Sequence, residues 1–340
     1  MRLVLLSMLS VMGCGGSLTG FPDAGRDGAV DGHVDAGVDS GLVADAGSDV
    51  EADAKPCGSG LTILASGQVS PVGIAVDSTS VYWTNLSGTV MKTSIHCGEG
   101  PPTVLASGQG PYGIAVDATN VYWANGDTVM KCAVGGCSGA PTKVAAQYGV
   151  LELAVDSTNV YWTSSKGGTV AKCAVNGCAG NPTTLASKES DYIAVDATNV
   201  YWTDAVGGTV MKCAIAGCGG SPTILASNQK GPNGIAVDAT NVYWTNANDT
   251  TVMKCAVGGC GGNPTVLASG PNGAYAIAVD ATDVYWTTSS NNTGSIMKCA
   301  LSGGAPTTLA TNQSGVSIAV DATSIYWTNF QNGTVVKLAK

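Results

Sequence analysis

The chain alternates short apolar runs with clusters of turn-forming residues. One stretch holds three such runs, Ile114–Val116, Val121–Ala124 and Thr128–Val134, separated by Asp-Ala-Thr-Asn and Asn-Gly-Asp. The runs are rich in β-branched and aromatic side chains, which is typical of strands. The clusters between them favour tight turns, because Asp and Asn bond nearby backbone and glycine accepts positive φ. A fourth run, Pro141–Ala145, follows a glycine-rich turn, so the pattern predicts four consecutive strands.

This four-strand unit is repeated along most of the chain. A Tyr-Trp pair marks each copy and recurs every 39 to 42 residues, with its tyrosine at Tyr82, Tyr122, Tyr161, Tyr201, Tyr243, Tyr285 and Tyr326. Four short strands in a period of about 40 residues describe one blade of a β-propeller. We therefore expect residues 57–340 to form an all-β, seven-bladed β-propeller of four-stranded antiparallel blades.

The two ends of the repeat region are out of phase. The first strand-like segment, Leu61–Ser66, matches a fourth strand, whereas the last segment, Thr334–Ala339, matches a third strand. Seven complete blades form only if these two segments pair with each other. The pattern thus predicts a ring closed by an N-terminal strand in the C-terminal blade, which leaves only short outer edges.

Two motifs inside the repeat resemble those of known propellers. Tyr201-Trp202-Thr203-Asp204 matches the YWTD repeat of lipoprotein-receptor propellers, and Pro71–Asp77, Pro111–Asp117 and Pro232–Asp238 resemble NHL-type repeats. The resemblance spans residues 61–340. The YWTD receptors have six blades and this chain has seven copies, so the resemblance implies the fold rather than the partner.

The N-terminal segment, residues 1–13, has the features of an export signal. Arg2 precedes an apolar run, Leu3 to Met12, that is too short to span a bilayer and has signal-peptide proportions. Val11-Met12-Gly13-Cys14 resembles the lipobox of bacterial lipoproteins, which implies cleavage before Cys14 and lipidation of its thiol. Gly15 in place of Asp implies the outer membrane. An ordinary secretory signal with a free Cys14 is the alternative.

Residues 14–56 hold most of the acidity. The chain has a net charge of −9, and residues 15–56 carry nine acidic and two basic side chains. Few of their side chains are large and apolar, so we expect a disordered tether after the lipidated cysteine. Five aspartates recur every four residues, which does not match a calcium loop, and we predict no metal and no cofactor. The near-neutral repeats have no basic patch, so we expect no nucleic-acid partner.

Four copies contain a Cys-x4-Cys pair that flanks the turn between the third and fourth strands. A hairpin brings such cysteines within bonding distance, and export favours disulfides. Zinc would need four converging ligands, and histidine does not recur in the copies. We predict disulfides at Cys132/Cys137, Cys173/Cys178, Cys213/Cys218 and Cys255/Cys260. Cys57, Cys97 and Cys299 each lack the matching cysteine, so we expect them to be unpaired unless the ring brings two together.

Residues that recur in every copy are predicted to be structural. The aspartate that ends each first strand is expected to form a turn. The tryptophan of each Tyr-Trp pair is expected to pack between blades, and the lysine on each third strand is expected to be solvated or ion-paired on the outside.

The junctions between one copy and the next vary, and they carry the candidate site. The tyrosines outside the Tyr-Trp pairs all lie there, with several charged side chains, and the candidate residues are Tyr112, Tyr148, Tyr192, Tyr275, Glu152 and Asp191. These junctions lead into the innermost strands, so we predict that their side chains ring the mouth of the central channel. Tyrosine combines apolar area with a polar tip, which suits recognition of a protein or glycan ligand. The alternative is that the tyrosines only plug the channel or cover the core.

The sequence favours a monomeric, surface-anchored lipoprotein whose propeller is a binding module. The competing class is a propeller lyase or hydrolase, metal-dependent or not. Such chemistry needs a histidine, a metal cluster or a carboxylate pair placed once. The only histidines are His33, in the tether, and His96, in a turn, and the one candidate carboxylate pair is Glu152 with Asp191. A purely structural envelope protein is the third possibility.

Overall fold

A computed structural model describes residues 60–97, 99–270, 272–289 and 294–340. The predicted export signal, Cys14, the acidic tether and Cys57 lie outside the described residues. In the part that is described, no helix has the length and hydropathy needed to cross a membrane.

Short strands joined by tight turns make up the described chain. The first fourteen are β1 (Thr62–Ala65), β2 (Pro71–Val76), β3 (Ser80–Asn85), β4 (Thr89–Ser94), β5 (Thr103–Ala106), β6 (Pro111–Val116), β7 (Asn120–Asn125), β8 (Thr128–Ala133), β9 (Thr142–Ala146), β10 (Val150–Val155), β11 (Asn159–Ser164), β12 (Thr169–Ala174), β13 (Thr183–Ala186) and β14 (Ile193–Val195). The next fourteen are β15 (Asn199–Asp204), β16 (Thr209–Ala214), β17 (Thr223–Ala226), β18 (Pro232–Val237), β19 (Asn241–Asn246), β20 (Thr251–Ala256), β21 (Thr265–Ser269), β22 (Gly273–Val279), β23 (Asp283–Ser289), β24 (Ser295–Ala300), β25 (Thr307–Thr311), β26 (Gly315–Val320), β27 (Ser324–Asn329) and β28 (Thr334–Ala339).

These strands form seven antiparallel sheets of four strands, which are the blades. Blades 1 to 6 are β2–β5, β6–β9, β10–β13, β14–β17, β18–β21 and β22–β25, each in sequence order. Blade 7 has the order β1-β28-β27-β26, with Thr62 opposite Lys337 and Ile63 opposite Val336. The structure therefore confirms the seven-bladed propeller and its closure by the N-terminal strand.

The Tyr-Trp pairs form the core between blades. Each apolar cluster joins the tyrosine of one blade to the tryptophan of the next: Tyr82 packs with Trp123, and Tyr122 packs with Trp162. The ring of clusters closes where Tyr326 of blade 7 meets Trp83 of blade 1. All seven tryptophans are almost fully buried, which confirms that they pack between blades.

The repeated aspartate is a turn residue, as the sequence predicts. Oδ1 of Asp117 accepts bonds from the backbone N–H groups of Thr119 and Asn120, both at 2.7 Å, and Oδ2 accepts a bond from the Tyr122 hydroxyl at 2.8 Å. Burial alone would raise the pKa of Asp117, but these hydrogen bonds outweigh it and hold the pKa below its usual value. One carboxylate thus closes the turn and caps the buried tyrosine.

The repeated lysine links neighbouring blades, so the expectation that it is solvated or ion-paired was mostly wrong. Nζ of Lys92 donates to the Val134 carbonyl of blade 2 at 2.8 Å. The same bond to the next blade is made by Lys131, Lys172, Lys212, Lys254 and Lys337. Lys298 is the exception, and its amine lies 3.7 Å from Oδ2 of Asp283 as an ion pair.

The four predicted hairpin disulfides are present. They join Cys132 to Cys137, Cys173 to Cys178, Cys213 to Cys218 and Cys255 to Cys260. Cys299 is a buried free thiol, as expected. Cys97 is disulfide-bonded, so it falls under the exception that the sequence left open, in which the ring brings two such cysteines together.

Candidate functional site

The variable junctions and the turns between second and third strands share one face of the ring. The Gln68 N–H donates to the Gly333 carbonyl at 2.9 Å, which joins the first junction to such a turn of blade 7. The aspartate turns and the disulfide turns meet on the other face, where the Val134 N–H donates to Thr119 at 2.9 Å. We name these the loop face and the turn face. The candidate residues lie in junctions of the loop face.

Each innermost strand has one position where neighbouring blades come very close. It is the residue just before Ile-Ala-Val-Asp or Leu-Ala-Val-Asp, and it is glycine in blades 1, 2 and 5, at Gly73, Gly113 and Gly234. A Cβ atom on Gly73 would lie 2.6 Å from the Tyr112 carbonyl oxygen, so the backbone of the next blade leaves no room for a side chain at this position. Blades 6 and 7 have small residues here, alanine and serine.

Blades 3 and 4 break this rule with the two largest side chains at the position. Glu152 and Tyr192 stand where the other copies have Gly, Ala or Ser. The sequence prediction included both residues because they lie in variable junctions. It missed that they replace the small residue of the repeat on adjacent blades, although an alignment of the seven copies contains that signal.

The residue just before this close-contact position is also held, by a hydrogen bond from the neighbouring blade. The threonine of the Tyr-Trp-Thr motif makes it: Thr163 donates to the Asp191 carbonyl at 2.8 Å, Thr203 to the Asn233 carbonyl at 2.7 Å, and Thr245 to the Tyr275 carbonyl. Asp191, Asn233 and Tyr275 are therefore equivalent positions of blades 4, 5 and 6. The repeated threonine fixes the register from which their side chains extend.

Glu152 lies against the glycine of blade 2. A Cβ atom on Gly113 would lie 2.5 Å from Oε2 of Glu152, so the carboxyl group occupies the space left by that glycine. Water reaches part of the side chain, yet protein surrounds it. Burial raises the pKa of Glu152 to about 8, and a hydrogen bond from the Leu153 backbone offsets this only in part. The carboxyl group therefore holds its proton to a higher pH than an exposed glutamate does.

Tyr192 brings the other candidates together. Burial raises the pKa of its hydroxyl, and the nearby charges of Glu152, Asp191 and Tyr275 raise it further. Electrostatic interactions of this kind act over short distances, so these four side chains of blades 3, 4 and 6 share one region. We name Glu152, Asp191, Tyr192, Asn233 and Tyr275 the channel cluster, since they lie in the innermost strands or directly before one.

Asp191 lies at the loop-face edge of this cluster. Its Oδ2 accepts a hydrogen bond from the Ala205 N–H at 2.8 Å, in the turn after β15. Burial raises the pKa of Asp191, the Ala205 bond lowers it in part, and the charge of Asp204 adds to the rise. The cluster thus contains two carboxyl groups that are harder to ionise than usual.

Asn233 is the member of the cluster that the sequence reasoning missed. It is only 5% exposed, and its Oδ1 atom has no hydrogen-bond partner, a feature shared by the buried Oδ1 atoms of Asn85, Asn246 and Asn329. A buried amide oxygen without a donor costs free energy. In the sequence Asn233 stands between Pro232 and Gly234, a pattern that is typical of a turn, so it was not predicted as a site residue.

The two remaining predicted residues have other surroundings. Tyr112 stands at the position equivalent to Asp191 and Tyr275, since its carbonyl accepts the same threonine bond, from Thr84 at 2.5 Å, and its side chain packs on the core between blades 2 and 3. Tyr148 is 57% exposed, and the amine of Lys166 lies 4.9 Å from the centre of its ring.

Blades 3 and 4 also lack a polar contact that four other blades have. The indole N–H of Trp83 donates to the junction glutamine Gln68 at 3.0 Å, and Trp123, Trp244 and Trp327 make the same bond. The indole N–H groups of Trp162 and Trp202 are buried without a partner. The junctions of blades 3 and 4 thus leave these two indole groups without the glutamine partner.

Two further observations limit the chemistry. Among the described residues, no three His, Cys, Asp or Glu side chains are grouped so that they could hold a metal ion. A shallow cleft of about 650 Å³ opens on the turn face between blades 1 and 2, lined by Thr79, Lys92 and Glu99 among others. The Lys92 amine in it donates a hydrogen bond to the Val134 carbonyl.

Comparison with known proteins shows the fold. No protein-family model matches the chain, and no curated protein matches it. Virginiamycin B lyase from Staphylococcus aureus has a similar structure, with a TM-score of 0.67 and 13% identity over 82% of this chain and 98% of that chain. The computationally designed Ika8 protein has a TM-score of 0.60 and 16% identity, over 83% of this chain and 100% of that chain. A chain of a nidogen/laminin complex has a TM-score of 0.51 and 19% identity, over 64% of this chain and 87% of that chain. At these identities the chain shares a β-propeller fold with all three.

Proposed function

We propose that this protein is a binding module whose ligand, a protein or a glycan, enters the channel cluster from the loop face. The observation that carries the proposal is the replacement of a small residue by Glu152 and Tyr192 on adjacent blades. Five other blades form without a large side chain at that position, so the fold does not need these two residues. Departures from a structural rule of this kind are expected at functional sites.

The energetics of the cluster support a role other than stability. A carboxyl group whose pKa is raised to about 8 destabilises the folded protein when it ionises. Tyr192 and Tyr275 add aromatic area with polar tips, the side chains favoured for recognition. A ligand that forms hydrogen bonds with these groups would offset their unfavourable contribution to the free energy of folding.

The test is a ligand screen of the full-length protein against arrays of glycans and envelope proteins, followed by two substitutions. Glu152→Ser and Tyr192→Ala give these blades the residues that blades 7 and 6 have, so we expect both variants to fold with little change in Tm. Binding of any ligand found should fall at least tenfold in each variant. Val206→Ala, which changes a side chain 87% exposed between β15 and β16, is the control and should bind normally. Unchanged binding in Tyr192→Ala would refute the proposed site.

We also propose that the propeller is anchored to the outer membrane through a lipid on Cys14. The lipobox-like sequence supports this, and the four hairpin disulfides fit an oxidising compartment outside the cytoplasm. Mass spectrometry of the N-terminal peptide should show an acylated cysteine. Cys14→Ala should move the protein from the membrane fraction to the soluble fraction; a variant that stays with the membrane contradicts lipid anchoring at this residue.

A lyase is the second candidate, because burial raises the pKa of Glu152 to about 8 and a carboxyl group of this kind could serve as a general acid or base. The virginiamycin B lyase with a similar fold loses activity when one histidine becomes alanine, as seen in its structure with quinupristin. The only histidine that the structure describes here is His96, in a turn after β4 on the turn face. We therefore expect no conversion of quinupristin by the purified protein, as measured by mass spectrometry. Turnover that Glu152→Gln abolishes would favour the lyase.

A further inference from the structure

We propose that the disulfide partner of Cys97 is Cys57, and that this bond fastens the closing strand β1 to blade 1. The inference is independent of the channel cluster and its ligand. Cys97 is a disulfide-bonded cysteine in the turn after β4 of blade 1. Cys57 stands five positions before Thr62, where β1 begins. The bond would join positions 40 apart, on the two blades between which the ring closes.

The count of cysteines leaves two candidate partners for Cys97. The chain has twelve cysteines, and eight of them form the four hairpin disulfides. Cys299 is a buried free thiol. The two that remain are Cys14 and Cys57, and Cys14 is 43 positions further from the propeller. Cys57 is therefore the cysteine that the sequence places beside the ring.

Neither Cys57 nor Cys97 can form the hairpin disulfide of the repeat. In the four paired copies, the first cysteine directly follows the third-strand lysine. That position is Thr93 in blade 1 and Leu338 in blade 7. Each of these two blades thus has a cysteine shortly before its fourth strand and no second cysteine within the hairpin. Because blades 7 and 1 are neighbours in the ring, the two cysteines can bond each other instead.

The turn that contains Cys97 lies against the closing strands. Nζ of Lys337, on β28, donates to the Ile95 carbonyl at 2.8 Å, two residues before Cys97. Lys337 is also directly opposite Thr62 of β1. Ile95 is buried in the same apolar cluster as Ala65 of β1. Blade 1 therefore contacts the β1–β28 pair through the residues that lead to Cys97.

The chain before β1 is long enough for the bond. Four residues, Gly58 to Leu61, separate Cys57 from Thr62. An extended chain spans about 3.3–3.6 Å per residue, so Cys57 can lie anywhere within roughly 17 Å of Thr62. Gly60 is exposed, and a Cβ atom there would meet nothing within 4 Å, so the chain has room to turn toward blade 1. This reach brings Cys57 to the Cys97 turn without movement of either blade.

The bond forms by ordinary thiol–disulfide exchange. Each thiol loses its proton, and the two sulfur atoms together lose two electrons to a disulfide oxidant, which takes up two protons and leaves as a dithiol. The closed loop contains β1 and the first three strands of blade 1. β1 is then tied at both ends, so its detachment from β28 releases less chain entropy. A pull on the residues before Cys57 would act on blade 1 rather than on β1.

Peptide analysis of the full-length protein, purified without a reductant, tests the pairing. Trypsin does not cleave before the proline at position 56, so it places Cys57 in the peptide 27–92 and Cys97 in the peptide 93–131, each as the sole cysteine. Cys14 lies in a separate peptide. We expect mass spectrometry to find 27–92 joined to 93–131 until a reductant is added. A bond between the peptides of Cys97 and Cys14 would overturn the proposal.

Substitution gives a second test of the pairing. Cys57→Ala and Cys97→Ala should each show one more thiol than the parent on titration in denaturant, and the double variant should show none. All three should lower the Tm by the same amount, roughly 5 °C or more. The control joins Cys213→Ala with Cys218→Ala, which removes a bond of sequence separation 5 within one hairpin and should lower the Tm less. A loss of Tm in only one single variant would contradict the pairing.

Proteolysis tests whether the bond holds β1. Leu61 and Ile63 are 47% and 57% exposed, and thermolysin cleaves before large apolar residues. Because β1 detaches more often without the bond, we expect cleavage in this segment to be roughly fivefold faster or more in Cys57→Ala and Cys97→Ala. The hairpin control should be cleaved there at the parent rate. Equal rates in all the proteins would show that the bond does not fasten β1. If a variant does not fold, the peptide analysis of the parent still decides the pairing.

Discussion

Glu152 shows how one side chain can depart from a repeat without disturbing it. Its carboxyl group fits into the space that Gly113 leaves in the neighbouring strand, so the blades remain in register. The consequence is electrostatic rather than steric, because burial raises the pKa of the group to about 8. Both features lead to measurable predictions at the scale of the residue.

The first prediction concerns pH. The pKa of Glu152 is about 8 in the folded protein and about 4.5 ordinarily, so the folded state holds the proton more tightly. This contribution to stability is full below about pH 4.5 and is lost as the pH rises through about 8. Glu152→Gln has no proton to lose. Its free energy of unfolding relative to the parent should therefore rise from pH 5 to pH 9, by roughly 2 kcal/mol after screening by channel water.

Urea denaturation of both proteins at pH 5, 7 and 9 measures this difference. Glu189→Gln, whose carboxylate is exposed, serves as the control and should show no such trend. A difference between Glu152→Gln and the parent that stays constant with pH would mean that Glu152 is already ionised throughout.

The second prediction tests Gly113, the glycine of blade 2 that lies against Glu152. A methyl group at residue 113 would lie 2.5 Å from Oε2 of Glu152 and 2.8 Å from the Leu151 carbonyl oxygen. Gly113→Ala should therefore destabilise the protein by about 1–3 kcal/mol, the usual cost of overpacking. Gly135→Ala is the matched control, because a Cβ atom there meets nothing within 4 Å. Thermal unfolding should show a lower Tm for Gly113→Ala alone, and equal Tm values would refute the close contact.

At the scale of the element, the blade-to-blade contacts are made by residues of the repeat itself. The tyrosine and tryptophan form the apolar contact, the third-strand lysine bonds the outer side, and the threonine bonds the innermost strand. The sequence indicated the strands and the tryptophan contact because both follow from short-range patterning. The roles of the lysine and threonine were not predictable in this way, since their partners are carbonyl groups about 30 to 45 residues away.

The third prediction tests the threonine contact. Thr203 donates to the Asn233 carbonyl of the next blade and accepts a bond from the Tyr192 N–H at 3.3 Å. Thr203→Val keeps the shape but leaves both backbone groups without this partner, which should cost about 1–3 kcal/mol of unfolding free energy. Thr223→Val changes an exposed threonine on β17 and is the control. Because Thr203 holds two residues of the channel cluster, ligand affinity should fall as well; a stable variant would contradict the interblade role.

The candidate site could be predicted only in part from the sequence. Variable junctions and unpaired tyrosines led to Tyr192 and Tyr275, and the same junctions contain Glu152 and Asp191. Tyr148 shares every one of these sequence features, yet its ring lies exposed under Lys166. Whether a junction side chain turns inward or outward depends on packing against the next blade, which a single-chain pattern does not contain.

At the scale of the whole molecule, closure of the ring depends on β1. This strand lies at the outer edge of blade 7, where it pairs only with β28. The phase of the repeats was sufficient to predict this pairing, because a fourth strand at one end and a third strand at the other leave a single solution.

The fourth prediction follows from this closure. Deletion of residues 61–66 removes β1 and leaves β28 as an unpaired edge strand, which should lower the Tm and promote aggregation. A circular permutant is the matched control: a short linker joins Lys340 to Gly60, and the chain opens between β5 and β6. It retains all four strands of blade 7 and should unfold near the parent temperature. Normal behaviour of the deletion variant in calorimetry and light scattering would show that β1 is dispensable.

The position of β1 also decides how the molecule responds to force. A pull on the N-terminal end of the propeller acts first on the β1–β28 ladder, where Thr62, Ile63 and Ala65 have partners in β28. If that short ladder yields, blade 7 keeps β26, β27 and β28, and the six other blades keep all their strands. When the disulfide of Cys97 is reduced, we therefore expect a force on the N-terminal end to separate β1 from β28 first. The channel cluster lies on blades 3 to 6, so this separation should leave it intact.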